Sequence, residues 1–160
     1  MNELLKKEPV KRVEEFIKNF NPKYKVLLLN STARTAKDAA KSLSCELGAI
    51  IKSLVFKAET NFIVCLVSGD KKCSLNKLKK ILGKKDVAMA SAEEVKNNTG
   101  FSIGGVAPVA HLKKLNILID KSLNRFENVY GAAGHPDCVF KITYGELIKL
   151  TKGLEKELTE

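Results

Sequence analysis

Tryptophan is absent from this chain of 160 residues, and aromatic residues make up only 6% of it. A surface that stacks successive single-stranded bases needs a row of exposed rings, and none can be read here. Cysteine is sparse and poorly spaced for chemistry. Cys45, Cys65, Cys73 and Cys138 form no C-x-x-C pair, and Cys65 sits inside the apolar run Phe62-Ile63-Val64-Cys65-Leu66-Val67. The four therefore read as small core hydrophobes rather than as disulfides or zinc ligands. With only His111 and His135 to add, no metal and no cofactor is expected. No apolar run approaches the ~20 residues of a membrane span, and the start of the chain has no signal-peptide core, which predicts a cytoplasmic protein without a membrane partner. A phosphate-loop ending, G-x-G-x-x-G, G-x-S-x-G and H-E-x-x-H are all missing, so side-chain nucleophilic catalysis is poorly supported.

What the chain has in abundance is positive charge: 28 Lys and Arg against 18 Asp and Glu, a net +10. That balance favours a polyanionic partner, nucleic acid before membrane. The densest basic region runs from Lys71 to Lys85 and reads either as a phosphate-tracking patch or as a solvated helix face. Against this background, residues 99–111 are apolar, glycine-rich and almost uncharged. Glycine is placed where the backbone takes φ > 0 or lets another group come close, and Pro108 fixes one further φ. Such a stretch presents backbone N–H and C=O groups to a ligand, or else forms a buried turn.

Val10, Val13, Ile17 and Phe20 recur at helical spacing until Asn21-Pro22 stops the pattern. A strand follows at residues 25–30 and a polar turn at 31–34. Thr35 caps a helix whose apolar face is Ala36, Ala39, Ala40 and Leu43, ending before Gly48. Residues 49–58 and 62–68 form a β-hairpin. Alternation puts Lys52 on a face with Ile50, Leu54 and Phe56, where it snorkels at a sheet edge or reaches an anion in a cleft. Leu75, Leu78 and Leu82 line a helix, residues 86–90 a short strand, and Ser91 with Glu94 a capping box opening another helix. Residues 116–120 are a strand, 121–126 a turn or short helix, 129–135 a glycine-punctuated segment and 138–142 the last strand. A second capping box, Thr143 with Glu146, opens a C-terminal helix closed by Gly153, with a frayed tail beyond. No linker or repeat divides residues 1–160, and five to seven strands interspersed with helices predict one α/β domain with a mixed sheet.

Three separated stretches, Gly48-Ala49-Ile50-Ile51-Lys52-Ser53-Leu54-Val55-Phe56, Gly100-Phe101-Ser102-Ile103-Gly104-Gly105-Val106-Ala107-Pro108-Val109-Ala110-His111 and Gly131-Ala132-Ala133-Gly134-His135-Pro136, together resemble the YbaK family, the prolyl-tRNA synthetase editing-domain or aminoacyl-tRNA deacylase family. The resemblance runs in order over residues 32–153. It implies a mixed, strongly curved sheet surrounded by helices with a central cleft. The implied activity is hydrolysis of the ester joining a wrong, small amino acid to the 3′ acceptor end of tRNA, in trans and beside an aminoacyl-tRNA synthetase. Ala110 departs from the small turn glycine that many members carry there.

By that resemblance Lys52 matches the functionally required lysine, Gly104, Gly105 and Pro108 the substrate loop, and Gly131, Gly134 and His135 the second glycine element. The candidate catalytic groups are thus Lys52, Gly104, Gly105 and His135. Thr35, Ser53, Phe101, Ile103, Pro108, His111, Gly131, Gly134 and Asp137 make up the candidate substrate-binding set. His135 or Asp137 could position a water, or either could be structural. The alternative reading is a non-catalytic module that holds a tRNA terminus or a nucleotide in translation.

Overall fold

The computed structural model describes residues 3–30 and 35–160; the polar turn expected at 31–34 lies outside them. Helix α1 (Glu8–Phe20) starts with Pro9 in its first turn and buries Val10, Val13 and Ile17 of the expected stripe, while Phe20, at its end, stays exposed beside the Tyr24 ring. The short strand β1 (Leu27–Leu28) leads to α2 (Ala36–Leu43), where the Thr35 hydroxyl accepts the Asp38 N–H at 3.1 Å. This helix stops at Ser44, whose left-handed backbone ends it before Gly48. Strands β2 (Ile51–Ala58) and β3 (Asn61–Ser68) pair along their full length as an antiparallel hairpin. After them come α3 (Leu75–Leu82), β4 (Val87–Met89), α4 (Ala92–Thr99), β5 (Asn116–Asp120), β6 (Asn128–His135), β7 (Cys138–Thr143), α5 (Tyr144–Thr151) and β8 (Leu154–Lys156).

The strands fall into two sheets. One is antiparallel, in the order β1-β7-β6; the other is mixed, in the order β4-β2-β3-β5-β8, with β3-β5 and β5-β8 parallel. A single parallel bridge, Ile50 to Tyr130, joins the start of β2 to β6. The expected α/β domain with a mixed sheet is what forms, but among the described residues it has eight strands where five to seven were expected, because the tail adds β8, and β1, β7 and β6 make a sheet of their own. The main core, including Val10, Ile17, Val55, Phe101, Phe140 and Leu147, fills the space between α1 and the sheets, and a second cluster around Phe56, Cys65, Leu78 and Leu158 lies on the opposite face of β2 and β3.

Four local expectations are corrected. Residues 129–135 are a strand, because Val129, Gly131 and Ala133 alternate inward against the core and glycine there admits a close neighbour. The C-terminal tail is not frayed: β8 adds to β5, Leu158 is fully buried, and Thr159 bridges Cys73. Asp120 explains this. Its carboxylate is only 2% exposed and accepts bonds from the Leu158 N–H (2.6 Å), the Thr159 hydroxyl (3.2 Å), and the Ser122 N–H and hydroxyl. A buried carboxylate without such donors would cost several kcal/mol, on the order of a lost ion-pair partner, so the tail is held where those donors are needed. The Thr143 box is only half made, since Thr143 accepts the Glu146 N–H while the Glu146 carboxylate turns to the Tyr24 hydroxyl. Lys152, not Gly153, takes the left-handed position ending α5, and Gly153 is instead packed against Ile119.

Candidate functional site

Strand β4 covers only part of the edge of β2: it pairs with Phe56, Lys57 and Ala58 and goes no further. The Val55 carbonyl accepts the Ala90 N–H at 3.0 Å. Peptide groups along a strand point alternately to its two edges, so the N–H and C=O of Ser53 lie on the same edge as those of Val55, beyond the end of β4. A cleft of about 600 Å³ opens there. Ile51 to Val55 form its floor, Met89, Ala90 and Val95 one wall, Ile103, Gly104 and Val106 another, and Tyr130, Ala132 and His135 to Asp137 the third, with Thr35 and Ala36 at the rim. Most of these groups are apolar, so a bound polar group meets few competing partners inside.

Lys52 and Gly104 border this one cleft although they are 52 positions apart in the chain. Lys52 is half-buried on the face of β2 that it shares with Leu54 and Phe56, and its ammonium donates to the Lys71 carbonyl. Burial lowers its pKa, with nearby Asp70 and Cys73 acting in the opposite direction. An ammonium has three donors, and one goes to that carbonyl.

Ser102 to Gly105 form a β-turn closed by the Gly105 N–H donating to the Ser102 carbonyl at 2.9 Å. Gly104, third in the turn, has a φ of 94°, a conformation that favours glycine there. Its N–H makes no hydrogen bond among the described residues, which leaves a backbone donor at the cleft wall. Gly105 differs from Gly104 in this respect, because its N–H is spent on closing the turn. Gly105 is instead a point of close approach: a Cβ there would lie 3.0 Å from the Cα and N of His135. The same logic holds at Gly131, where a Cβ would lie 3.0 Å from the Pro108 ring.

Phe101, Pro108, His111 and Gly131 stand behind the cleft rather than in it. Phe101 is fully buried, and the Arg12 guanidinium lies 4.5 Å from its ring centroid. The His111 ring meets Phe101 edge-on at 6.1 Å, and its Nε2 pairs with the Ala107 carbonyl at 2.8 Å. Burial holds the His111 pKa below the ordinary histidine value. The Phe101 and His111 side chains are thus enclosed by their own neighbours and are not among the residues that line the cleft. Gly134, with a φ of 89°, packs on the backbone of Pro9, where a Cβ would come within 2.7 Å.

His135 does reach the cleft. Its Nδ1 accepts the Asp137 N–H at 3.0 Å, so in the neutral ring the proton sits on Nε2, and that nitrogen donates rather than accepts. The Asp137 carbonyl in turn accepts the Leu29 N–H at 2.9 Å, which fixes the turn after β6. Ser53 lines the floor with a buried hydroxyl that has no hydrogen-bond partner among the described residues. Thr35 borders the rim while its hydroxyl caps α2.

Two features were not read from the sequence. Cys73 stands beside Lys52, and its thiol pairs with that of buried Cys65; it lies outside the three motifs and is not among the residues that line the cleft. Arg12 is the other, reached from a helix 98 residues away from the carbonyl it binds. Neither leaves a local signal. The apolar lining from Met89 and Tyr130 is likewise set only by strand pairing.

Residues 30–150 match the family described as the aminoacyl-tRNA editing domain. The uncharacterized protein YwhH of Bacillus subtilis (strain 168) is 31% identical over 139 residues, covering 86% of this chain and 88% of that protein. A proline–tRNA ligase of Caldicellulosiruptor bescii is 28% identical over 145 residues, and there 91% of this chain spans only 24% of the ligase. Among solved structures, one proposed to be a trans-editing enzyme for prolyl tRNA synthetase superposes with a TM-score of 0.91 at 36% identity, covering 96% of this chain and 98% of that one.

Proposed function

The chain belongs to the aminoacyl-tRNA editing domain family, and from that membership we propose that it is a trans-acting deacylase, hydrolysing the ester between a small wrong amino acid and the 3′ end of a tRNA served by prolyl-tRNA synthetase. The observation that carries this reading is the convergence of Lys52, Gly104 and His135 on one mostly apolar cleft at the uncovered edge of β2.

An aminoacyl ester is already activated, so placing a water against its carbonyl in a fixed geometry supplies much of the acceleration. The Gly104 N–H is a donor for the carbonyl oxygen as negative charge develops on it, a contact that strengthens toward the transition state. The His135 Nε2–H is a second donor, suited to orienting the water or the terminal ribose rather than to removing a proton. Lys52 meets the terminal phosphate or the ester oxygen as a cation. The tRNA's own terminal hydroxyl completes the proton relay, and the apolar walls limit the size of the amino acid. The net charge of +10 attracts the tRNA as a whole.

A panel of tRNAs charged with Ala, Ser, Thr, Cys or Pro tests the reading. Hydrolysis of one or more of the non-proline esters, with prolyl-tRNA spared, is the expected result. Tight binding of the tRNA end without hydrolysis of any ester would identify a non-catalytic binding module instead.

A further inference from the structure

Arg12 lies on α1, ahead of the residues that match the family, yet it holds both ends of the glycine loop. Its Nε donates to the Ala110 carbonyl at 2.8 Å and its Nη2 to the Thr99 carbonyl at 3.1 Å. Thr99 is the last residue of α4 and Ala110 closes the loop, so one planar group bridges the two stems of residues 100–109. The third nitrogen, Nη1, is paired with Glu8, and the guanidinium face covers Phe101. Ala110 has a φ of 64°, a left-handed conformation that is unfavourable for an L-residue and is kept only where surroundings over-determine it. The bond from Arg12 is one such restraint. Gly100 is glycine for a matching reason, since a Cβ there would fall 2.6 Å from Arg12 Nη2. Pro9, on the same helix, packs against Gly134, so α1 supports both glycine elements of the cleft from behind.

We propose that Arg12 is a positioning residue for the cleft: by clasping the Thr99 and Ala110 carbonyls it sets the separation of the loop stems and with it the place of the Gly104 N–H. A lysine carries the same charge but lacks the planar fork that reaches two carbonyls at once. The groups that Arg12 bonds or covers, Glu8, Thr99, Phe101 and Ala110, are not among the residues that line the cleft, so its effect passes through the loop backbone. The kinetic part of this inference rests on the deacylase reading; the structural part does not.

The test compares Arg12→Ala and Arg12→Lys with the wild-type chain by hydrogen exchange and by deacylation kinetics. In both variants the amides of Gly105 and Leu112, which close on Ser102 and Thr99, should exchange at least about tenfold faster, while those of β3 keep their protection, as expected for a local opening. For the ester that the wild-type protein hydrolyses, kcat should fall by about 10- to 100-fold with KM little changed, the scale of a misplaced reacting geometry. Adding guanidinium ion should restore part of kcat and of the loop protection to Arg12→Ala, and ammonium ion should not. Unchanged loop exchange in Arg12→Ala, or full activity in Arg12→Lys, overturns the proposal. So does a fall in kcat that tracks a parallel loss of β3 protection, which marks a general stabilising role. If the wild-type protein hydrolyses no ester, the deacylase reading fails, and the exchange and guanidinium measurements still decide the clasp.

Discussion

A Cβ atom on Gly105 would stand 3.0 Å from the Cα of His135, so the loop at 100–110 and the end of β6 meet backbone to backbone. Gly105→Ala should therefore push the two glycine elements apart. The expected cost is about 1–3 kcal/mol, the range of overpacking a close contact, with a loss of deacylation larger than that of stability. Gly145, which has open space around its Cβ position in α5, is the control: Gly145→Ala should raise stability by about 0.5–1 kcal/mol through reduced chain entropy. Thermal melts and deacylation rates of the pair check both signs.

Lys52→Ala should lower deacylation by about 10- to 100-fold, the value of one hydrogen bond from a charged donor, without loss of fold. Because burial lowers the Lys52 pKa, its ammonium gives up a proton at a lower pH than a free lysine. Activity corrected for spontaneous ester hydrolysis should fall on the alkaline side before the ordinary lysine range is reached. The same shift means that the unfolded chain holds this proton more tightly, so stability gains from this residue as pH rises between the folded and unfolded values. Lys52→Met should accordingly melt no lower than wild type at neutral pH.

His111 predicts the behaviour in acid. Its folded pKa is lowered, by burial first and by the Arg12 charge as well. The stability that it contributes is present above the ordinary histidine value and is lost as pH falls from there toward the depressed one. Melting temperature should therefore drop over that window, and His111→Gln should flatten the drop.

The cysteines should differ sharply in reactivity. Pairing with Cys65 lowers the Cys73 pKa, with Lys52 adding in the same direction, whereas Cys65 is raised and burial pushes Cys138 up to about 11. Thiolate is the reacting form, so mass spectrometry of the alkylated native protein should show Cys73 modified before Cys65 or Cys138. Cys73→Ser should nevertheless hydrolyse the ester, since no thiol attack is part of the proposed reaction; an acyl group trapped on Cys73 would replace that mechanism.

Affinity for tRNA should decline steeply with salt. Each phosphate contact made by Lys or Arg releases counterions, giving a slope of roughly −0.7 to −0.9 per contact in log affinity against log salt. A titration at several ionic strengths reads this directly, and salt-independent binding would point away from the phosphate backbone.

The sequence alone determined those features that depend on neighbours within a few residues. The apolar stripe of α1, the Thr35 cap, the reciprocal Ser91 and Glu94 bonds opening α4 and the β2-β3 hairpin all follow from periodicity and local hydrogen-bond chemistry. The three glycine-bearing or lysine-bearing motifs were legible too, as a pattern. Tertiary structure decided where each motif residue sits. Gly104 and Gly105 are adjacent in sequence and both glycine, yet Gly104 borders the cleft with an N–H that makes no hydrogen bond among the described residues, while Gly105 spends its N–H on a turn and rests on His135. Phe101 and His111 belong to the same motif but lie behind the wall. The tail became β8 because Asp120, buried far away in sequence, needed its donors. Arg12 and Cys73 gained their places from contacts across most of a domain or across a folded-back loop. Spacing along a chain reports which face of a local element a side chain occupies, whereas long-range pairing and burial determine what that face meets.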